Sequence, residues 1–323
     1  MQNSLLDVGL VVVVVFLLGL VATLVRFAQW RGRLAHALVR NSAVAKTDHG
    51  DIEFADVGTG TPLLMLHGTP GGYDQVLSLV NATGLNERGV RAIIPSRPGY
   101  LRTPIASGAT PEDQARLYEA LLRELGLAQV FVFGVSGGGP SALQFAALYP
   151  ERCLGLILEE AVTQKIVETP LTLPSVLVDF LIYFFRHSSA KKLKRSGIID
   201  PVQLTLAAEA GETVALFAKR NIGQRNDLTH FATMGRIPFE AISCPTLILH
   251  GSLDEEVPIS HAELALANIA NSQLERIQGA NHAMPGTHHR ELDRLIRAFV
   301  KIHSHDSPPL IYSSRVTDLI TPN

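Results

Sequence analysis

The sequence predicts an α/β fold in which a mostly parallel central sheet is covered by helices on both faces. Two observations lead to this fold class. Short, continuously apolar runs recur between turn residues, and longer helical segments separate them. An apolar N-terminal stretch stands outside this alternation and predicts a separate transmembrane helix. The 323 residues suit one large domain with such additions.

The composition excludes several classes of protein. The chain is 46% hydrophobic and 18% charged, which excludes a disordered chain and a coiled coil. Its 28 Lys and Arg against 30 Asp and Glu give no basic excess, so we expect no nucleic-acid partner. Its 2 cysteines, far apart in sequence, make neither a disulfide framework nor a metal site. We therefore expect no metal and no organic cofactor.

The N-terminal run from Val8 to Val25 is apolar or near-neutral throughout. It approaches the ~20 residues that cross a bilayer as a helix. No Lys or Arg precedes it and no small-residue cleavage site follows, so we expect an uncleaved anchor rather than a signal peptide. Trp30 would lie at the membrane interface. The positive-inside rule predicts a single-pass protein with a cytoplasmic body, because the flanking cations all follow the run: Arg26, Arg31, Arg33 and Arg40.

The body divides into a core, an inserted helical region and two flanks. We expect an anchor with its basic flank over 1–33, a linker over 34–46, a core over 47–161 and 240–303, a helical lid over 162–239 and a poorly ordered tail over 304–323. The lid is predicted because no clear strand pattern occurs between Val162 and Phe239. Its apolar stretch 171–185 precedes the basic cluster Lys191, Lys192, Lys194 and Arg195. A lid over the substrate pocket, or one that also contacts the membrane surface, would fit this pattern.

Six strands are predicted within the core. They are Leu63–Leu66, Val90–Ile94, Val130–Phe133, Leu154–Leu158, Thr246–Leu249 and Leu274–Ile277. Helices are predicted over 111–125, 140–149 and 291–302. The first of these has Thr110 as its N-cap and a proline at its first position, which is the usual pattern of a helix start.

A nucleophile motif follows the third of these strands. Gly134-Val135-Ser136-Gly137-Gly138 reads G-x-S-x-G, with a strand before it and a helix after it. A sharp strand-to-helix turn would expose Ser136 above the sheet, at a helix N-terminus that favours developing negative charge. A serine alone is a weak nucleophile and needs a base.

The loops after the last two strands supply a base and an acid. His282 follows the sixth strand and is the candidate base, and Asp254 follows the fifth and is the candidate acid. The order Ser136, Asp254, His282 is the chain order of a known hydrolase triad. Four other carboxylates stay open as alternatives to the acid: Glu255 and Glu256 beside it, and Glu159 and Glu160 at the end of the fourth strand.

An oxyanion formed at the site would need two N–H donors. Gly137, directly after the nucleophile, supplies one. Thr69, in the loop after the first core strand, is the candidate for the other. His67 in the same loop is expected to brace it by hydrogen bonding rather than to act as a second base.

Residues 47–303 resemble the alpha/beta-hydrolase fold proteins that use a serine nucleophile. The motifs that carry the resemblance are LHGTPG at 66–71, SRPGY at 96–100, GVSGGG at 134–139 and the loops of Asp254 and His282. The resemblance implies hydrolysis of an ester or similar acyl substrate through an acyl-enzyme intermediate and without a cofactor. The apolar lid near the anchor adds the expectation of a lipophilic substrate. Epoxide hydrolases and haloalkane dehalogenases of this fold use Asp where Ser136 stands.

Three alternatives to an esterase remain at this point. An aminopeptidase-like enzyme or a C–C bond hydrolase would use the same fold, although aminopeptidases of this type read H-G-G-P-G where this chain has HGTPG at 67–71. A non-catalytic receptor or scaffold would use the pocket without the chemistry. The complete set of candidate catalytic residues favours an enzyme.

Overall fold

The central sheet has eight strands in the order β1-β2-β4-β3-β5-β6-β7-β8 in the computed structural model, which describes residues 2–198 and 200–304. The strands from β3 to β8 pair in parallel, whereas β2 is antiparallel to both β1 and β4. The six predicted strands are all present as β3 to β8. The bounds are β1 Ala43–Thr47, β2 Gly50–Gly58, β3 Thr61–Leu66, β4 Val90–Pro95, β5 Val130–Val135, β6 Cys153–Glu159, β7 Thr246–Gly251 and β8 Ser272–Ile277.

Ten α-helices accompany the sheet within the described residues. Their bounds are α1 Gln2–Arg40, α2 Tyr73–Thr83, α3 Pro111–Glu124, α4 Gly139–Leu148, α5 Ser175–Phe185, α6 Ser188–Arg195, α7 Pro201–Glu209, α8 Asn221–Thr233, α9 Ser260–Asn268 and α10 Met284–His303. The predicted cap of α3 is present, since the Thr110 hydroxyl accepts a hydrogen bond from the N–H of Asp113 at 3.1 Å. The last helix starts at Met284, earlier than predicted, with a kink at His288.

Helices cover both faces of the sheet, as the continuous apolar strands predict. Along β3, Leu64 and Leu66 face one apolar core and Leu63 and Met65 face the other, because successive side chains of a strand point to opposite faces. The first core includes residues of α3, α4 and α9, and the second includes residues of α2 and α10. The predicted fold class is confirmed.

The expected linker over 34–46 is not a linker. Its first residues continue α1 as far as Arg40, and its last ones begin β1, which pairs with β2 in an antiparallel hairpin. The core therefore begins at Ala43 rather than at residue 47. The sequence of β1, AVAKT, is a short edge strand with mostly exposed side chains, so it lacks the apolar run that marks the interior strands.

The segment between β6 and β7 contains α5, α6, α7 and α8, which we call the helical insertion. Its described residues contain no strand, in agreement with the helical pattern of 162–239. The expected tail over 304–323 lies outside the described residues, apart from Ser304.

The helix α1 has two different environments along its length. It is long and apolar enough to cross a membrane, with a mean hydropathy of 2.8 in its most apolar window. Side chains from Leu10 to Val25 are mostly exposed, but Phe27 and Trp30 are buried in a cluster with Tyr183 and Ala215 of the insertion. The second part of α1 therefore belongs to the folded body.

Trp30 is buried against the insertion, whereas we expected its side chain to be exposed at the membrane interface. Its exposed fraction is 4%, its ring lies 5.4 Å from that of Tyr183, and its indole N–H donates to Glu212 at 3.0 Å. Beside it, Arg31 forms an ion pair of 3.1 Å with the buried carboxylate of Asp179 in α5. The position of a tryptophan after an apolar span does not distinguish a residue at a lipid interface from one buried against a distant helix, because both occur there.

Candidate active site

Ser136 lies in the tight turn between β5 and α4. Its φ of 50° is in the left-handed region, which is unfavourable for a residue with a side chain and is typical of strained functional positions. The turn requires the flanking glycines. A Cβ atom on Gly134 would lie 2.6 Å from that of Ala142, and one on Gly138 would lie 2.6 Å from the carbonyl oxygen of Leu66. This is the geometry that the G-x-S-x-G pattern predicts.

The structure brings His282 and Asp254 to Ser136. The Nε2 atom of His282 lies 3.0 Å from the Ser136 hydroxyl, and Nδ1 lies 2.9 Å from Oδ2 of Asp254. The other oxygen of Asp254 accepts hydrogen bonds from the backbone N–H groups of Glu256 and Val257 at 2.9 and 3.0 Å. The carboxylate is therefore held on both oxygens while it contacts the imidazole.

Asp254 is closer to the imidazole than the competing carboxylates. Glu160 approaches Nδ1 to 3.8 Å, and Glu256 approaches Nε2 to 3.9 Å. Both distances exceed a hydrogen bond. Glu159 is buried and its carboxyl oxygens make no hydrogen bond within the described residues, and Glu255 is exposed. The geometry therefore favours Asp254 as the partner of His282.

The pKa values of this pair suit a base and its acid. Burial lowers the pKa of His282, but the hydrogen bond and negative charge of Asp254 outweigh burial, so the pKa rises above its ordinary 6.5. For Asp254, burial raises the pKa, but the hydrogen bonds from His282 and from the Val257 N–H lower it by more. The pKa of Asp254 is therefore below its ordinary value. The carboxylate is thus ionised whenever the imidazole is ready to accept a proton.

Two buried acids adjoin this pair. Burial raises the pKa of Glu159 to about 7, and burial together with the charges of Glu159 and Asp254 raises that of Glu160 to about 9. Their carboxyl oxygens make no hydrogen bond within the described part of the chain. Ligand atoms of Glu160, Asp254 and His282 lie within 4.8 Å of one another. They do not favour a cation, because His282 and Asp254 are already bonded to each other and Glu160 is protonated at neutral pH.

The loop after β3 places Thr69 and Gly137 side by side next to the nucleophile. A Cβ on Gly68 would lie 3.4 Å from the Cβ of Ser136, and one on Gly137 would overlap the hydroxyl of Thr69. The N–H of Gly68 is taken by the side chain of Gln75 at 2.9 Å. For the N–H of Thr69, the residues described here provide no acceptor. It therefore remains available to an incoming oxyanion.

His67 stabilises this loop from beneath. Its Nδ1 atom lies 2.8 Å from the carbonyl oxygen of Gly68, and its Nε2 accepts the backbone N–H of Arg97 at 2.9 Å. Burial holds the pKa of His67 well below 6.5, and the positive charge of Arg97 lowers it further. A neutral imidazole that donates at Nδ1 and accepts at Nε2 satisfies both contacts. These are the contacts of a brace rather than of a second base.

A buried charge network joins the same loop to the helical insertion. Asp227 of α8 accepts hydrogen bonds from Arg97 at 2.5 and 2.9 Å, from the hydroxyl of Tyr100 at 2.5 Å and from the hydroxyl of Thr69 at 2.5 Å. Arg97 and Asp227 are 1% and 3% exposed. Sequence reasoning gave Arg97 no role and missed Asp227, because the two residues are 130 positions apart and no local pattern surrounds Asp227.

Arg220 forms a second connection from the insertion to the loop. It is completely buried and donates to the carbonyl oxygen of Gly71 at 2.7 Å. It also binds both oxygens of Asp74, at 3.0 and 2.8 Å. The loop that carries Thr69 is thus fixed by two arginines, one pairing with the insertion and one supplied by it.

Apolar side chains also lie beside the nucleophile. Val162, Leu228, Phe231 and Val257 form one buried cluster. The Phe231 ring lies 3.1 Å from the position of a Cβ on Gly137, and the N–H of Val162 donates to the carbonyl oxygen of Ser136 at 3.0 Å. An apolar group bound at Ser136 would contact this cluster.

Comparison with known proteins identifies the class to which this fold and site belong. The family profile of the alpha/beta hydrolase fold matches residues 61–288, so the chain belongs to that family and is a hydrolase of the α/β fold. Among its relatives is the uncharacterized hydrolase YcgS of Bacillus subtilis. It is 30% identical over 256 residues, which are 73% of this chain and 89% of that protein.

Two further similarities add detail. A 2-hydroxy-6-oxononadienedioate/2-hydroxy-6-oxononatrienedioate hydrolase of Klebsiella pneumoniae is 27% identical over 267 residues, 77% of this chain and 90% of that protein. The solved structure of an alpha/beta hydrolase fold protein from Nakamurella multipartita aligns with a TM-score of 0.69 at 28% identity. The alignment covers 80% of this chain and 99% of the other.

Proposed function

We propose that the protein is a membrane-anchored serine hydrolase that cleaves an ester or similar acyl substrate through Ser136, His282 and Asp254. The observation that carries the proposal is the continuous hydrogen-bonded series from Ser136 to Asp254, with distances of 3.0 and 2.9 Å. A nucleophile in contact with a base, and a base held by an acid, is the arrangement that activates a serine.

Acylation uses each of these groups once. The Ser136 oxygen attacks the carbonyl carbon while Nε2 of His282 takes the hydroxyl proton. The carbonyl oxygen becomes an oxyanion and accepts hydrogen bonds from the N–H groups of Thr69 and Gly137. When the tetrahedral intermediate collapses, the bond to the leaving alcohol breaks and His282 returns the proton to the alcohol oxygen. The product is an acyl ester of Ser136.

Deacylation repeats the cycle with water as nucleophile. His282 takes a proton from water, the hydroxide attacks the acyl carbon, and the same two N–H groups stabilise the oxyanion. Collapse releases the carboxylic acid and returns the proton to Ser136. In both halves the imidazolium is stabilised by Asp254, whose lowered pKa keeps it ionised throughout.

The surroundings of Ser136 favour an apolar acyl group. The cluster of Val162, Leu228, Phe231 and Val257 offers an apolar surface. The relative from Klebsiella pneumoniae makes a dioate the second candidate substrate. A dioate carries two carboxylates, and the nearby guanidinium of Arg97 is already bound by Asp227. The carboxylates of Asp254 and Glu256 also lie near His282, so the electrostatics favour a neutral ester.

Membrane anchoring rests on α1. Its side chains from Leu10 to Val25 are mostly exposed and apolar, which suits lipid rather than water. The helix continues without a break into the buried residues Phe27 and Trp30. A signal peptide would be cut after the apolar run, which would separate it from a helix that is part of the body. By the positive-inside rule, the arginines after the run favour a cytoplasmic body.

The test of the chemistry is the reaction of Ser136 with a fluorophosphonate probe and with activated esters. Ser136→Ala should lose probe labelling and about 10⁶-fold in kcat. Ser260→Ala, which changes an exposed serine on α9, is the matched control and should keep both. Full activity of purified Ser136→Ala would exclude the proposed nucleophile. A panel of neutral esters of increasing chain length, compared with a 2-hydroxy-6-oxo-dioate, then separates the two candidate substrates.

A further inference from the structure

We infer that the exposed side of α5, together with α6, forms a second membrane-binding surface that lies in the leaflet where α1 leaves the bilayer. The inference rests on the proposed anchoring by α1 and deepens the proposed function. It names the source of the substrate, an acyl ester that already resides in the membrane.

The exposed side of α5 is made entirely of large apolar side chains. Phe184 and Phe185 are 66% and 58% exposed, and the whole set, which we call the α5 face, is Val176, Leu177, Leu181, Phe184 and Phe185. The buried side of the same helix carries Asp179 and Tyr183. A surface helix in water normally presents polar side chains outward, so a continuous exposed apolar face indicates a surface that contacts something apolar.

The position of α5 selects the membrane as that partner. The ring of Phe27 lies 5.3 Å from that of Phe180 and 5.5 Å from that of Tyr183. Phe27 follows Val25, the last residue of the apolar run, by only about 3 Å along the helix axis. A bilayer spanned by that run must therefore have its surface close to α5, which packs directly against α1 at this level.

The charge of α6 is complementary to a bilayer surface. Its sequence SSAKKLKR contains no acidic residue, and its four cations, Lys191, Lys192, Lys194 and Arg195, are all exposed. A basic residue near an anionic leaflet strengthens binding about fivefold. An apolar helix followed at once by a basic one is the composition of an interfacial segment, whose apolar side enters the headgroup region while the cations meet the phosphates.

The same insertion reaches the catalytic residues. Asp179, on the buried side of α5, accepts the N–H of Phe217 at 2.9 Å, and α8 then carries Asp227 and Phe231 to the loop of Thr69 and to Gly137. The helical insertion that carries the α5 face thus also contributes α8 to the surroundings of Ser136.

The experiment measures the depth of single positions in the full-length protein. Phe184→Cys is labelled with the fluorophore NBD and reconstituted in vesicles of phosphatidylcholine and phosphatidylglycerol in equal parts. The native thiols of Cys153 and Cys244 are buried and leave the new thiol as the reactive one. Leu266→Cys on α9, exposed but remote in sequence from α5, is the matched control. Phe185→Cys replaces Phe184→Cys if the latter does not fold.

Membrane contact should shift the emission of NBD at residue 184 to shorter wavelength. Lipids spin-labelled on the acyl chain should then quench most of this emission. The label at residue 266 should show neither effect. Replacing the four cations of α6 by Gln should reduce the quenching at residue 184, as should high salt. Emission at 184 that stays water-like in protein that floats with the vesicles overturns the inference but leaves the anchoring intact.

Two other outcomes are distinguishable from these. Protein that does not float with the vesicles contradicts the proposed anchoring itself. A blue shift without lipid quenching, accompanied by cross-linking of two Phe184→Cys chains, would show that a second copy covers the α5 face, and it overturns the membrane inference.

Discussion

The two sides of Ser136 are built in different ways. On one side, Asp254 and His282 project from the loops that directly follow β7 and β8, so the ends of these core strands place them. On the other side, Thr69 follows β3 but is held by Asp227 of the insertion, and its loop is bound by Arg220. We call these the acid–base side and the oxyanion side.

The difference shows how local and distant interactions divide the work of a site. The acid–base side depends on strand register, which is set by a few paired residues such as Leu247 with Gln273. The oxyanion side depends on charges buried in a low-dielectric interior and on partners far apart in sequence. Removing one partner of a buried ion pair typically costs about 3–5 kcal/mol because the other charge is left unpaired. The oxyanion side should therefore fail when the insertion is disturbed, and the acid–base side should not.

The largest effect is expected on the acid–base side. Asp254→Asn should reduce kcat by about 10⁴-fold, because an amide cannot stabilise the imidazolium or hold its tautomer. Glu159→Gln is the control. It should retain most of kcat and shift the acid limb of the pH–rate profile to lower pH, because the charge of Glu159 raises the pKa of His282. A greater loss in Glu159→Gln than in Asp254→Asn would reassign the acid.

A smaller effect is expected when the oxyanion side is disturbed. Asp227→Asn weakens the hydrogen bond to the Thr69 hydroxyl and leaves the charge of Arg97 unpaired. The N–H of Thr69 should then be misplaced, so kcat should fall by about 10²-fold with little change in KM, as for loss of an oxyanion donor. The exposed pair Arg236–Glu240, also in the insertion, provides the control, and Glu240→Gln should change neither constant. Asp227 is a positioning residue, and an equal change in KM would instead indicate a role in substrate binding.

Truncation of α1 should affect the oxyanion side alone, and it should lower kcat less than Asp227→Asn does. Removal of residues 1–24 takes away the exposed apolar part and should leave a folded, active enzyme. Removal of residues 1–33 also takes away Phe27, Trp30 and Arg31. Tyr183 is then exposed, and the buried carboxylate of Asp179 loses its ion pair with Arg31. This shorter chain should lose about 3 kcal/mol or more of unfolding free energy and several-fold in kcat. Thermal unfolding and steady-state kinetics compare the two, and equal stability would contradict the docking of α1.

Substitution of Glu160 should have the smallest effect on activity, and its main effect should be on the pH dependence of stability. Its pKa is raised from 4.5 to about 9 in the fold, so the folded state holds a proton that the unfolded state releases, and stability falls as pH rises between these values. Glu160→Gln removes this dependence. Its unfolding free energy should exceed that of the parent by an amount that grows by up to about 1.4 kcal/mol per pH unit from pH 5 to pH 9. Parallel curves of stability against pH would rule out a buried, protonated Glu160.

The sequence is most informative where a residue directly follows the end of a strand. The motif around Ser136 and the loops of Asp254 and His282 each stand directly after an apolar run, so short sequence patterns located them. The roles of these residues stay a proposal, but their proximity in the fold is as the patterns indicate.

Prediction was weaker where packing between distant elements decides the structure. The edge strand β1 has no buried face to impose a pattern, and α1 continues past its apolar run because Ala, Leu and Arg favour a helix. Asp227 lies in an ordinary helical sequence, and only the fold shows that Arg97 faces it. Long-range ion pairs of this kind leave no periodicity in a single sequence.

One consequence of α1 concerns how the enzyme moves. The helix is continuous from Gln2 to Arg40 and packs on the body from Phe27 onward, so the apolar run is joined to the body by helix rather than by a flexible linker. A protein on a flexible tether samples many orientations and a wide volume of solvent. In the anchored form that we propose, the body instead shares the tilt of the helix. Its remaining large freedoms are diffusion in the plane of the membrane and rotation about the membrane normal, and Ser136 stays at a nearly constant height above the bilayer.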